Sequence, residues 1–274
     1  MLIDTHCHIN IMIKKDFDTP ITETMFHAAQ EIVQDANHHG VRHIINVGTS
    51  LIESLNCVEL TKQFEDMYAT VGIHPNDCTD TWRTDMQSIK KLIEKKEKNK
   101  IVGIGECGLD FHYPDFNKQR QIDAFKMQIE LALEHNLALV IHSRDAADET
   151  LRVLHEYKQN GIRGTFHCFS YDASIAQEAL NFRFVLGIGG TVTYPKNEPL
   201  RTIVRTISLD QFILETDAPY LPPQYMRGKQ NTPSQIHTIA KYIAQLRGES
   251  FELIAKSTTS NAFKLFGITE FPNT

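Results

Sequence analysis

Short apolar runs alternate with longer amphipathic stretches along almost the whole chain. The runs at 2–8, 43–47, 67–73, 101–106, 138–142, 163–167, 184–188 and 212–215 have the length and composition of strands. Between them, apolar residues at helical spacing predict helices. The first opens at Thr22, runs through Ala29, Ile32, Val33 and Ala36, and stops at Gly40. The others cover about 52–64, 82–98, 117–135, 146–159, 172–181 and 198–206. Two more, at 234–246 and 250–266, follow the last strand.

Strands that alternate with helices imply a mostly parallel sheet with helical crossovers. Eight such strands predict an α/β fold, a single (β/α)8 TIM barrel with an extra C-terminal helix. No repeat, low-complexity tract or linker divides the sequence, so residues 1–274 read as one barrel domain. A chain of 274 residues is ordinary for such a barrel and buries roughly 75% of its unfolded surface.

Charge narrows the function classes. A net charge of −6 is not that of a protein that coats nucleic acid through a broad basic face. A nucleic-acid substrate would be held locally. The five cysteines, at 7, 57, 78, 107 and 168, form no CxxC pair and are odd in number. With no signal-peptide pattern and no apolar run near the ~20 residues of a membrane span, the expectation is a cytoplasmic, reducing compartment and no membrane association.

The candidate chemistry sits at the strand ends. His6 and His8 are two residues apart on the first strand, so both imidazoles can aim at one point. Strand four ends in Glu106, strand five in His142, strand six in His167, and strand eight in Glu215 and Asp217. In barrel enzymes the C-terminal strand ends form the active-site mouth. On strand four, Val102, Ile104 and Glu106 share one face and Gly103 and Gly105 the other. Small residues outward would suit close helix packing, which turns Glu106 inward. Four imidazoles and two carboxylates exceed one tetrahedral zinc and suit two divalent ions bridged by Glu106.

The ordered motifs IDTHCH, GIHP, GECGLD, IHSR, HCFS and LETDAPYL resemble those of the TatD-type metal-dependent deoxyribonucleases, within the amidohydrolase-like group of metal-bearing barrels. The resemblance covers nearly the whole chain. It implies metal ligation by His6, His8, Glu106, His142, His167 and Asp217, and hydrolysis of DNA phosphodiesters, often as an exonuclease. Arg227 to Pro233 resembles the family's R-G-x-x-N-x-P loop, which brings in Asn231 as a substrate-binding candidate. Two departures lie near the mouth: Tyr171 stands where the family commonly has Gly, and Asn76 where many members have His.

Further roles follow from position. His74, Arg144, Arg227 and Lys229 are candidate phosphate contacts, with a salt bridge from Arg144 to Asp145 or Asp148 as its structural alternative. Cys7, Cys107 and Cys168 each neighbour a candidate ligand, so alternation points them away from the metals as packing residues. Asp4 and Glu215 lie two residues before a ligand and are expected one layer beneath, orienting imidazoles or each other.

The expected mechanism is attack by a two-metal-activated water, with Asp217 as general base and Glu106 as bridge. The metals are zinc, manganese or magnesium. The substrate is DNA, single-stranded or an end, and a monomer is plausible. Alternatives on the same site are deacylation of D-aminoacyl-tRNA and an amidohydrolase or phosphotriesterase-like hydrolysis. A different class is a metal-binding interaction protein without turnover.

Overall fold

The computed structural model describes residues 1–269; the last five residues of the 1–274 span lie outside the described residues. Eight parallel strands follow one another around the sheet in sequence order. They are β1 Leu2–Cys7, β2 Val41–Val47, β3 Met67–Val71, β4 Ile101–Asp110, β5 Ala138–Arg144, β6 Gly164–Phe166, β7 Val185–Ile188 and β8 Phe212–Leu214. Helices connect them, as the alternating pattern required.

The seam between β1 and β8 closes through a few contacts instead of a full ladder. Cys7 bridges Ala218. The His8 amide donates to the Ala218 carbonyl at 2.7 Å and the Asp217 amide to the His6 carbonyl at 2.8 Å. Buried Asp4 adds a side-chain clamp. It accepts from the His6 amide at 3.2 Å, the Thr216 amide at 3.0 Å and the Thr216 hydroxyl at 2.6 Å. The segment that carries Asp217 is therefore fixed to the segment that carries His6 and His8.

Two apolar layers hold the barrel. Ile3, Ile45, Ala138, Val140 and Ile213 fill its interior, and Phe263 and Phe266 pack on them. These two rings come from the helix Phe251–Phe266, the extra C-terminal element. Ser250 caps its start by accepting from the Leu253 amide at 3.1 Å, and Gly267 ends it in the left-handed region that glycine tolerates. The outer layer, with Ile104, Leu139, Phe125 and Ile129, joins the strands to the surrounding helices.

Three local expectations are corrected. The helix expected over 82–98 is two pieces, Trp82–Ile93 and Lys96–Asn99, because Lys95 leaves helical geometry and the Asn99 side chain turns back, its Nδ2 donating to the Leu92 carbonyl at 2.9 Å. β4 runs on past Glu106 to Asp110. Its alternation is also interrupted by a register shift between Ile104 and Cys107. Ile104 thus packs outward with Leu139, and Gly105 lies against the interior Val140, where an added Cβ would meet the Val140 Cβ at 2.7 Å. Glu106 faces the mouth because of this bulge, not because it shares a face with Ile104.

Candidate metal centre

Six side chains from five strand ends converge at the mouth, with Glu106 in the middle. Its two oxygens face different partners. Oε2 lies 3.5 Å from His6 Nε2 and 3.8 Å from His8 Nε2. Oε1 lies 2.9 Å from His142 Nδ1 and 3.7 Å from His167 Nε2. Asp217 Oδ1 closes the first group, 3.7 Å from His6 Nε2 and 3.4 Å from His8 Nε2, and reaches His167 Nε2 at 3.8 Å.

These spacings are a test of metal fit. Ligand atoms about 2.1 Å from an ion in a tetrahedral array lie roughly 3.4 Å apart. His6 Nε2 and His8 Nε2 are 3.2 Å apart, and their distances to Glu106 and Asp217 span 3.4 to 3.8 Å. The donors are imidazole nitrogens and carboxylate oxygens, and among the described residues no Lys or Arg pairs with Glu106 or Asp217. Buried carboxylates without a permanent side-chain cation suit a bound cation. The site suits metal binding.

Electrostatics keeps the carboxylates ionised. Burial pushes Glu106 up, but the imidazoles of His74, His167, His142 and His6 hold it well below its ordinary value. Asp217 is lowered in the same way against its burial by His167, His8 and His6. His74 goes down to about 3, through burial and the neighbouring His142, against the pull of Glu106 and Asp110. Its Nδ1 accepts from the Asn76 amide at 3.1 Å, so the proton of the neutral ring sits on Nε2, 3.6 Å from Glu106 Oε1.

Supporting carboxylates sit behind the imidazoles. Glu215 Oε1 is 3.1 Å from His167 Nδ1 and also accepts from the Cys168 amide. Gly187 leaves the space for it: an added Cβ would approach the Glu215 carboxyl carbon to 2.7 Å. Asp110 does the same for His142, with Oδ2 3.1 Å from Nε2. The sequence reading named Glu215 and missed Asp110. Beyond the bulge, Gly108 pairs with His142 and Asp110 with Arg144 in register, so the alternation 106, 108, 110 was the available signal. Asp4 is buried beneath the site but clamps backbone and Thr216 and touches neither an imidazole nor Glu215. Burial, eased by bonds from Thr216 and His6, pushes its carboxyl up to about 8.

Other candidates fall in different places. Arg144, the last residue of β5, and Arg227 and Lys229, in the loop after β8, are exposed at the mouth. Arg144 lies 5.7 Å from the Tyr113 ring centre, while Asp145 pairs with His112 at 2.9 Å. Arg227 lies 4.7 Å over Tyr194. Asn231 is corrected from substrate contact to brace: it is fully buried, and its amide donates to the Thr216 carbonyl at 2.8 Å and the Tyr220 carbonyl at 2.7 Å. Cys168 is corrected too. β6 ends at Phe166 and Cys168 has a left-handed backbone, so strand alternation no longer applies and its sulfur lies within 4.8 Å of ligand atoms of His167 and Asp217. Tyr171, in place of the family's Gly, bonds Ser143 Oγ at 2.9 Å beside His142. Asn76 donates to Asp110 Oδ2 at 2.9 Å.

The sequence reading also passed over Glu53. It is buried and accepts from Asn10 Nδ2 at 2.9 Å, Asn56 Nδ2 at 3.1 Å and the Asp18 amide at 2.8 Å, besides pairing with Lys14. It pins the loop after β1 onto the mouth. Spacing ties only Asn56 to it, three residues along the same helix; Asn10, Lys14 and Asp18 come from the segment after β1.

Comparison with known proteins places this arrangement. The family model described as TatD related DNase matches residues 3–267. The chain is 36% identical over 268 residues to the uncharacterized metal-dependent hydrolase YabD of Bacillus subtilis, covering 98% of this chain and 100% of the relative. It is 32% identical over 261 residues to the 3'-5' ssDNA/RNA exonuclease TatD of Pantoea ananatis, covering 92% and 99%. The crystal structure of YJJV, a TatD homolog from Escherichia coli K12, superposes with a TM-score of 0.88 at 26% identity over 98% of both chains. Fold and sequence agree, and the chain belongs to the TatD-related DNase family.

Proposed function

We propose that the protein is a deoxyribonuclease that shortens single strands or strand ends, and that it uses two divalent ions. The observation that carries this reading is the division of Glu106, with one oxygen toward His6 and His8 and the other toward His142 and His167. One carboxylate between two imidazole pairs is the arrangement a bridged metal pair needs. His6, His8, Glu106 and Asp217 would hold one ion, and Glu106, His142 and His167 the other. The mixed imidazole and carboxylate set suits zinc or manganese, with magnesium the more oxygen-demanding alternative. When bound, the ions supply Lewis acidity to the phosphoryl group and the attacking water.

The chain's own residues do the rest. Asp217 accepts the proton of the attacking water. Its side chain is 13% exposed against 5% for Glu106, so it is the carboxylate more open to the mouth. Water adds to phosphorus, the phosphorus–oxygen bond of the leaving strand breaks, and that oxygen takes up a proton. His74 donates a hydrogen bond from Nε2–H to a non-bridging phosphoryl oxygen. Arg144, Arg227 and Lys229 meet the flanking phosphates. Asp110 and Glu215 keep His142 and His167 in place. The free cysteines suit a reducing, cytoplasmic compartment, and one 1–274 chain holds every ligand, which suits a monomer.

The test is metal-depleted protein on 3'-end- and 5'-end-labelled single-stranded DNA, with Mg2+, Mn2+ or Zn2+ added back. His6→Ala and Asp217→Ala are run alongside. Stepwise shortening that needs metal and disappears in both variants is expected. No cleavage with any metal, while D-aminoacyl-tRNA, a cyclic amide or a phosphotriester turns over, would overturn the substrate assignment.

A further inference from the structure

The exposed rings of this protein are not scattered. Phe17, Tyr113, Tyr220, Leu221 and Tyr225 are among the few large apolar residues left in water, and all five lie on loops at the mouth, after β1, β4 and β8. A ring left exposed forgoes the stabilisation that burial would give it. Such a concentration around a catalytic mouth calls for a partner with flat apolar faces.

Two of the rings are tied to the metal centre from opposite sides. Tyr220 lies 6.1 Å, centre to centre, from the His8 ring. Its backbone is held in place: its amide donates to the Asp217 carbonyl at 2.7 Å and its carbonyl accepts from Asn231 at 2.7 Å. Tyr113 belongs to the loop after β4, four strands away in the order of the barrel. It is 52% exposed and lines a cleft of about 500 Å3 with Pro75, Asn76, Phe116, Asn117 and Arg120. Asn76 joins that cleft to the centre, because it donates to Asp110 Oδ2 and Asp110 contacts His142. Arg144 stands 5.7 Å from the Tyr113 ring, a cation placed beside a stacking surface.

We propose that Tyr113 and Tyr220 are stacking platforms for the unpaired nucleobases on either side of the phosphate at the metal centre. This rests on the nuclease reading above and names how that site selects its substrate. Two platforms on opposite rims require the bases to be splayed apart, which a single strand permits and a stacked duplex resists. Base–aromatic stacking is indifferent to base identity, as a hydrolase moving along a strand needs. It also supplies affinity that a chain of net charge −6 does not gain from a broad basic groove.

The test is a cycle of protein and substrate changes. KM is measured for the wild type, Tyr113→Ala, Tyr220→Ala and the two Phe variants, on a single strand carrying all its bases and on the same strand with abasic residues at the two terminal positions. Removing a base or its tyrosine should each raise KM roughly 5- to 150-fold. Removing both should cost no more than removing one, and the Phe variants should keep the wild-type KM. Ala variants with wild-type KM on the complete strand, or losses that simply add on the abasic strand, would overturn the platforms. A wild-type protein that cleaves neither strand would instead count against the nuclease reading itself, and the platforms would fall with it.

Discussion

The two ends of this barrel are built from the same strands and obey opposite rules. At the lower end, the interior holds Ile3, Ile45, Ala138, Val140 and Ile213, and the helix Phe251–Phe266 plugs it with Phe263 and Phe266. At the mouth, a few residues farther along β1, β4 and β5, the interior holds His6, Glu106, Asp110 and His142. The apolar end lowers free energy by removing surface from water. The mouth concentrates buried carboxylates and facing imidazoles, whose desolvation is offset by their contacts with one another. Stability and chemistry are therefore separable along one axis of the molecule.

Substitutions at the two ends can break or sharpen this contrast. Glu106→Gln should remove activity by on the order of 10³-fold or more, while the metal-free protein loses less stability than it does from a large-to-small change at the apolar end, because the imidazoles that hold Glu106 ionised lose a partner but the packing stays. Thermal melts beside phosphodiester turnover read both. A large loss of stability in the metal-free form would contradict the contrast. Phe266→Ala should do the reverse, costing about 3–5 kcal/mol in denaturant unfolding while turnover per folded molecule stays at the wild-type level.

Glu53 tests whether part of the mouth is structural after all. Burial pushes its carboxyl up, but Lys14, Asn10, Asn56 and the Asp18 amide hold it below its ordinary 4.5. Because the native value is depressed, its contribution is complete above 4.5 and is lost as pH falls through the lower native value. Glu53→Gln should cost about 2–3 kcal/mol at neutral pH and shrink that acid-side loss, as read by unfolding at a series of pH values. An unchanged pH profile would remove Glu53 from the account. The smallest effect is expected behind the imidazoles: Glu215→Gln should weaken metal affinity about 10- to 100-fold, measured by competition with a chromogenic chelator. Gly187→Ala, which crowds the same carboxyl, should shift affinity in the same direction, and a neutral result in both would leave Glu215 without an orienting role.

Most of the fold could be read from the chain because each strand is short, apolar and followed by an amphipathic helix. The gathering of His6, His8, Glu106, His142, His167 and Asp217 was legible because parallel strands in a barrel bring their C-terminal ends to one mouth. What failed was strand alternation taken too far. The bulge between Ile104 and Cys107 inverts the faces, and Cys168 lies beyond the end of β6, so neither obeys the period of two. Asp110 was missed because strand four was ended early. Asn231 matched a motif but sits inside the loop it braces. Glu53 was missed because Asn10, Lys14 and Asp18 reach it only once the segment after β1 has folded over its helix.

The central claim is that Glu106 divides the site into two coupled half-sites. Its most direct test is the metal content at saturation, by equilibrium dialysis with Mn2+ and elemental analysis, of the wild type, a His6→Ala/His8→Ala variant and a His142→Ala/His167→Ala variant. The account predicts about two ions per chain in the wild type and about one in each variant. One ion in the wild type, or full loss of metal in one variant with none in the other, would contradict it.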